Sequence, residues 1–144
     1  MKECYDELKL QNQLCFPLYA CSKEVVKKYK PLLNKFDLTY TQYITMMVLW
    51  ENKEMNVKEL GKSLYLDSGT LTPLLKKLES KGYIIRKRAK EDERNLIIQL
   101  TQKGLKLKDE VKDVPLKISK CVNLDKEEAE ELYRLLYKIL GKGN

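Results

Sequence analysis

Cys15 lies two residues before Pro17 in the stretch NQLCFPLYACSKEVVKKYK, with Tyr19 and Tyr29 four and fourteen residues beyond it. A cysteine does chemistry as its thiolate, because the thiolate is the nucleophile. The start of a helix stabilises that anion, since its first N–H groups lack intrahelical partners and carry the positive end of the dipole. Pro17 marks such a start, because a proline N–H missing from the first turn would be unpaired there anyway. The pattern therefore places a thiol where its nucleophilic and oxidisable thiolate form is favoured.

The tyrosines bear on the same thiol. Tyr29 returns to within about 40° of the helix face of Cys15, but about 21 Å further along the axis. The two meet if two copies of the helix pack antiparallel about a two-fold axis. Tyr40, at the next helix start, joins from the same side, and a phenol O–H is a good donor to a thiolate. The plainer alternative stays open at this level: Cys15 as a small buried hydrophobe and the tyrosines as ordinary core residues. Cys21, six residues on, lies about 240° around the helix, which excludes a disulfide to Cys15 within it. It reads as a packing residue, and Cys4, in a polar segment, as incidental. Four cysteines without metal-ligand spacing, in a chain with no histidine, do not make a zinc site, and no cofactor is expected.

The elements that must position these groups are bounded by the whole chain. Its 144 residues suit one domain, 43% hydrophobic and 34% charged, without a low-complexity run. No apolar stretch approaches the roughly 20 residues that span a bilayer, so no membrane partner is expected. The N-terminal MKECYDELKL is not a secretory signal, which points to the cytoplasm, where cysteines stay reduced. A net charge of +7 points to an acidic partner, nucleic acid being the commonest.

Helical periodicity runs from about Gln13 to about Lys35 through Leu14, Leu18, Tyr19, Val25, Val26 and Tyr29. Thr39 to Gln42 reads as a capping box opening a second helix, with Tyr43, Ile44, Met47, Val48 and Trp50 inward. Asn56 to Glu59 opens a short helix with Val57, Leu60 and Leu64 inward. Asp67 or Ser68 caps the next, whose buried stripe is Leu71, Leu74, Leu75 and Leu78 and whose stop is Gly82. Pro73 fits if that helix starts near Thr70, and otherwise bends its first turns. YIIRKRA and NLIIQLT, separated by KEDER, form a hairpin pattern. A helix through Leu105, Leu107 and Val111 should kink or end at Pro115. Asp125 and Glu128 cap the last, with Leu132, Leu135, Leu136, Ile139 and Leu140 as its stripe.

Helix, helix, hairpin in mid-chain is a winged helix-turn-helix, giving a mainly α fold with a small β-hairpin wing. One helix braces a second, which enters the major groove, while the hairpin reaches the backbone or minor groove. Ser68, Thr70, Thr72 and Lys76 face away from the leucine stripe, Lys77 and Lys81 can meet phosphates, and the hairpin carries Arg86, Lys87, Arg88, Lys90 and Arg94. From Lys58 to Arg94 there are ten Lys/Arg against six Asp/Glu, so this third of the chain holds +4 of the net charge. The class indicated is a protein of double-stranded DNA.

The block LYLDSGTLTPLLKKLESKGYIIRKRAKEDERNLIIQLTQKG resembles the DNA-binding core of MarR-type regulators. Its EDERN matches their acidic-x-Arg wing signature, here Asp92 and Arg94. The resemblance implies that Arg94 enters the minor groove and Asp92 holds it in position. The stretch QLCFPLYACSKEVVKKYKPLLNKFDLTYTQYITMMVLWE resembles the organic-hydroperoxide-sensing OhrR-type branch, and the similarity runs from about Gln11 to Lys120.

The branch resemblance implies one MarR-type domain over 1–144, with dimerisation helices at about 11–36 and 103–144 flanking a winged unit at about 39–101. It implies a homodimeric, redox-sensing repressor on a palindromic operator, with organic hydroperoxide as inducer. Cys15 is then the peroxidatic residue, and Tyr29 and Tyr40 are its hydrogen-bond partners across the dimer. Tyr19 lines the same pocket, while Phe16, Met46 and Trp50 suit an organic peroxide. Some members carry a second cysteine that resolves the sulfenate, and Cys121 lies where such a residue belongs. Three readings compete: a MarR-type repressor governed by a non-covalent ligand, which needs no Cys15, a thiol peroxidase, whose usual α/β scaffold this pattern lacks, and a non-DNA-binding helical adaptor, which needs no basic hairpin. A regulator rather than an enzyme is expected.

Overall fold

The computed structural model describes residues 5–89 and 95–142, so Cys4, Lys90, Asp92 and Arg94 lie outside the described residues. Two compact units divide the chain, Met1–Val114 and Pro115–Asn144.

In the first unit, two short 3₁₀ turns precede α1 (Cys15–Leu33). The helix begins two residues later than its periodicity predicts, and Pro17 is its third residue. It closes through a 3₁₀ turn, Asn34–Phe36, and Asp37, whose positive φ of 54° ends the helical path. Thr39 then starts α2 (Tyr40–Asn52) with the expected capping box. Its hydroxyl accepts from the Gln42 N–H at 3.2 Å, and Gln42 Oε1 accepts from the Thr39 N–H at 3.1 Å.

A strand that periodicity does not reveal follows. β1 (Glu54–Asn56) is three residues long, too short for alternation to register, and pairs antiparallel with β3 (Leu96–Leu100). Asn56 also caps α3 (Val57–Leu64), its Oδ1 accepting from Lys58 and Glu59 N–H groups. Gly61 on α3 admits the turn to the next helix, because a Cβ there would lie 2.9 Å from the Leu66 carbonyl. Asp67 caps α4 (Ser68–Ser80), accepting from the Thr70 N–H at 2.8 Å. Pro73 is the sixth residue of that helix, not part of its first turn. β2 (Ile84–Arg88) pairs with β3 in the register Ile84↔Leu100 to Arg88↔Leu96, so the sheet order is β1-β3-β2.

Thr101 caps α5 (Gln102–Val111), accepting from the Gly104 N–H at 3.0 Å. Gly104 passes so close to the Tyr83 carbonyl and Leu100 that a side chain would collide with both. Its own carbonyl accepts from Trp50 Nε1 at 2.8 Å, pinning α5 to α2.

Leucines dominate the core of this unit. Leu33, Met46, Leu49, Leu60, Leu71, Leu75, Leu78, Ile84 and Ile98 are each 1% exposed or less. Each such side chain contributes about 1.5–3 kcal/mol by leaving water. The predicted stripe of α4 is thus the centre of the fold. Met47, predicted to point inward, is instead 42% exposed, while its neighbour Met46 is sealed. The four consecutive apolar residues from Met46 to Leu49 left helical phase undecided there.

The helix through Leu107 ends at Val111, and a short α6 (Val114–Ser119) restarts with Pro115 as its second residue. In the second unit, α7 (Lys126–Ile139) carries the predicted capping box, with Asp125 and Glu128 exchanging bonds of 2.9 and 3.0 Å. Its stripe is bare: Leu132, Leu135, Ile139 and Leu140 are each at least 40% exposed. Among the described residues no helix is long and apolar enough to cross a membrane.

Candidate functional site

Two surfaces carry the predicted residues. On α4, Ser68, Thr70, Thr72, Lys76 and Lys77 are exposed on the face opposite the leucines. Asp67, the cap, is held below the usual carboxylate range by the Thr70 backbone N–H that it accepts. The exposed hydroxyls occupy the first turn and a half of the helix, the part that enters a groove in helix-turn-helix proteins.

The wing beside them is braced from two sides. Arg86 is half-buried against α4: Glu79 accepts from its Nε at 3.1 Å, its backbone N–H at 3.1 Å and its Nη2 at 3.0 Å. That pairing holds Glu79 below the usual carboxylate range. Arg86, predicted to contact DNA, is thereby engaged within the unit, while Lys87 and Arg88 are exposed on β2. At the loop end of the hairpin strands, Asn56 Nδ2 donates to Asn95 Oδ1 and the Ala89 N–H donates to the Asn95 carbonyl at 2.8 Å. Lys81 is likewise turned inward: Gln42 Oε1 accepts from its Nζ at 3.1 Å, as does the Asp37 carbonyl. Glu79, Gln42 and Asn95 carry no sequence signal of these roles, since each bond joins elements brought together by folding.

The second surface is α1 and its corner with α2. Cys15 is the first residue of the helix and exposed, preceded by Leu14, whose side chain has no acceptor to offer the first N–H groups. Because α1 is one helix from Cys15 to Leu33, Cys15 and Tyr29 stand about 21 Å apart along it, as the spacing predicts. Tyr29 does meet Tyr40, with ring centroids 4.7 Å apart, and also Tyr43 at 5.9 Å. Tyr43 then meets Trp50 edge-on at 6.5 Å. Tyr43 reads from sequence as core alone, yet its place three residues after Tyr40 puts it on the same helix face.

Burial, with lesser contributions from Tyr40 and Tyr43, pushes the Tyr29 phenol up to about 12. Burial also raises Tyr40 and Tyr43. All three phenols therefore keep their protons at neutral pH and are donors. Tyr19 is exposed, with Lys23 Nζ 5.1 Å over its ring. Phe16 is 41% exposed, whereas Met46, predicted to line the same pocket, is closed inside the core. Cys21 is exposed on α1 rather than packed within the chain. In the second unit, Cys121 is exposed after α6, its Sγ 3.5 Å from the Lys117 carbonyl.

Residues 27–111 match the family model described as transcriptional regulator SarA/Rot. The chain is 49% identical over 143 residues to the organic hydroperoxide resistance transcriptional regulator of Bacillus subtilis, covering 97% of this chain and 95% of that protein. Reduced AbfR bound to DNA, a Staphylococcus epidermidis protein, has the same fold with a TM-score of 0.81 and 34% identity, over 94% of this chain and 93% of that one. The disulfide-formed structure of AbfR matches less closely, with a TM-score of 0.66 and 36% identity over 94% and 96% of the two chains. The exposed face of α4, its braced wing and the relatives together identify the chain: it belongs to the MarR-type winged-helix transcriptional regulators, in the organic hydroperoxide resistance branch of that family.

Proposed function

We propose that the protein is a homodimeric repressor that holds a palindromic DNA operator while Cys15 is reduced and leaves it when an organic hydroperoxide oxidises that thiol. The observation that carries this reading is an exposed thiol in the first turn of α1, on a helix whose other end holds the protonated Tyr29–Tyr40 pair at 4.7 Å. The apolar residues Leu14, Phe16, Leu18, Val25 and Val26 along α1, all at least 37% exposed, support a second copy as its cover. Antiparallel packing of the two α1 helices brings Cys15 to the partner's Tyr29 and Tyr40, with Tyr19 beside them. Segments of about 11–36 and 103–144 then build the dimer, and about 39–101 reads DNA through Ser68, Thr70, Thr72, Lys76, Lys77, Arg88 and the wing residues Asp92 and Arg94.

The Cys15 thiolate attacks the outer peroxide oxygen, the O–O bond breaks, and the alkoxide leaves to take a proton as the alcohol. Cysteine is oxidised to the sulfenic acid and the peroxide is reduced. Condensation with a second thiol releases water and closes a disulfide. Cys121 is the candidate within the chain, and bringing its Cα within about 7 Å of the partner's Cys15 would strain the dimer and respace the reading helices. The relative named for organic hydroperoxide resistance, and AbfR, solved reduced on DNA, overoxidised on DNA and disulfide-formed, support the disulfide rather than oxidation alone as the releasing step. The oxidation is stoichiometric signalling in a cytoplasmic regulator, with no turnover.

The test is a gel-shift titration with an organic hydroperoxide. Wild type should leave the DNA, and Cys15→Ser should bind equally well when reduced but stay bound. Release of Cys15→Ser at the wild-type dose would favour a non-covalent ligand instead. Cys121→Ser on a non-reducing gel decides whether the resolving thiol is in the chain.

A further inference from the structure

Lys81, at the C-terminal end of α4, has the charge of a phosphate ligand and the surroundings of a strut. Its ammonium donates to the Asp37 carbonyl and to Gln42 Oε1 at 3.1 Å, and stands 3.6 Å from the Asp37 carboxylate. Asp37 is the left-handed residue closing the α1 corner, and Gln42, 3% exposed, belongs to the first turn of α2. From the other side, the Lys81 carbonyl accepts from Lys103 Nζ at 2.7 Å, tying the same point to α5. The turn of α2 that presents Gln42 to Lys81 also carries Tyr40 and leads into Tyr43, whose rings pack on Tyr29. One face of this turn therefore holds the phenols and another holds the end of the DNA-reading helix.

We propose that Lys81 is a positioning residue that couples the tyrosine-bearing turn of α2 to α4, and is not a phosphate ligand. The coupling half of this inference rests on the tyrosines' role in sensing proposed above. A displacement of the first turn of α2 moves Gln42 and the Asp37 corner together, and Lys81 passes that displacement to the C-terminal end of α4. Lysine suits the task because one compact cation donates to several acceptors at once, at the end of a stem long enough to span two elements.

The experiment uses full-length Lys81→Met and Lys81→Arg, with circular dichroism as the fold check. The probe is a duplex selected by the wild-type protein from a random pool. Affinity is measured across a salt series, before and after cumene hydroperoxide. Lys81→Met should weaken reduced binding about fivefold, within the range for residues carrying coupling between sites. Its salt slope should match wild type, whereas loss of a phosphate contact would reduce the slope by about one. Its ratio of reduced to oxidised affinity should shrink, and Lys81→Arg, which keeps the donors, should recover most of both losses. A reduced slope, or unchanged affinity with an unchanged ratio, overturns the proposal. If wild type itself does not release on oxidation, the sensing reading fails and takes the coupling with it, while the salt series still judges Lys81 as a strut. Should Lys81→Met not fold, Lys81→Gln, which keeps one amide donor, is read in the same way.

Discussion

Helices α4 and α1 belong to the same unit and both are amphipathic, yet they meet water differently. The leucines of α4 are all 7% exposed or less, while the buried residue of α1 is Leu33 at its far end, with Leu14 at 82% and Tyr19 at 59%. Helix α4 is completed by its own chain. The thiol-bearing helix presents apolar surface that costs free energy in water until something covers it. In the dimer proposed above, the reading surface is complete within one chain and the thiol lies where subunits meet, so that a covalent event at the seam acts on both halves.

The largest expected effect separates the two helices directly. Leu78→Ala, at a fully buried site, should cost about 2–5 kcal/mol of stability in urea unfolding, because the cavity adds to the lost transfer energy. Leu18→Ala, at a site 40% exposed, should cost little in the chain itself and weaken self-association instead. Its stability deficit should therefore shrink as the protein is diluted towards the monomer, whereas that of Leu78→Ala should not. Two deficits with the same concentration dependence would erase the contrast.

A smaller effect is expected on the reading side. Arg94→Ala should weaken DNA binding by about 1–3 kcal/mol and leave the fold intact, as for one charged groove contact. Fluorescence anisotropy on a selected duplex at physiological salt checks this, and an unchanged affinity would remove Arg94 from the interface. Since Arg86 is already held by Glu79 at 3.0 Å, Glu79→Gln should loosen the wing and weaken binding too, although it removes a negative charge that DNA would repel. Tighter binding by Glu79→Gln would mean that the brace contributes nothing.

What the sequence made legible follows the range of the interactions. Caps were readable because they span three residues: Thr39 to Gln42, Asp67 to Thr70 and Asp125 to Glu128 all appear as expected. The leucine stripe of α4 and the two hairpin strands were readable from their periods. The family was legible from the EDERN wing and the surroundings of Cys15. Three-residue β1 escaped because it exists through its pairing with β3, and Met47 was misplaced because four consecutive apolar residues leave the phase open. Spacing and the family resemblance singled out Tyr29 and Tyr40, whose rings pack together, but the contacts of Tyr43, Glu79 and Gln42 cross between elements that no local pattern links.

The smallest effect expected tests the tyrosine corner from its protonation. Tyr29 is raised from 10.0 to about 12 in the folded chain, first by burial and then by Tyr40 and Tyr43. Between those values the unfolded chain has already lost this proton while the folded chain keeps it. The folded state therefore binds more protons, and stability must fall as pH climbs through the window. Below pH 10 the contribution is fully present, which is why the phenol remains a donor under physiological conditions. In Tyr29→Phe the group is gone, so the decline in urea stability from pH 9 to pH 11.5 should be shallower than in wild type. It should not vanish, because Tyr40 and Tyr43 are raised as well. Identical slopes in the two proteins would mean that Tyr29 is more open to water than its packing against Tyr40 and Tyr43 indicates. Its fitness as a buried donor to the partner's thiolate would then be lost with it.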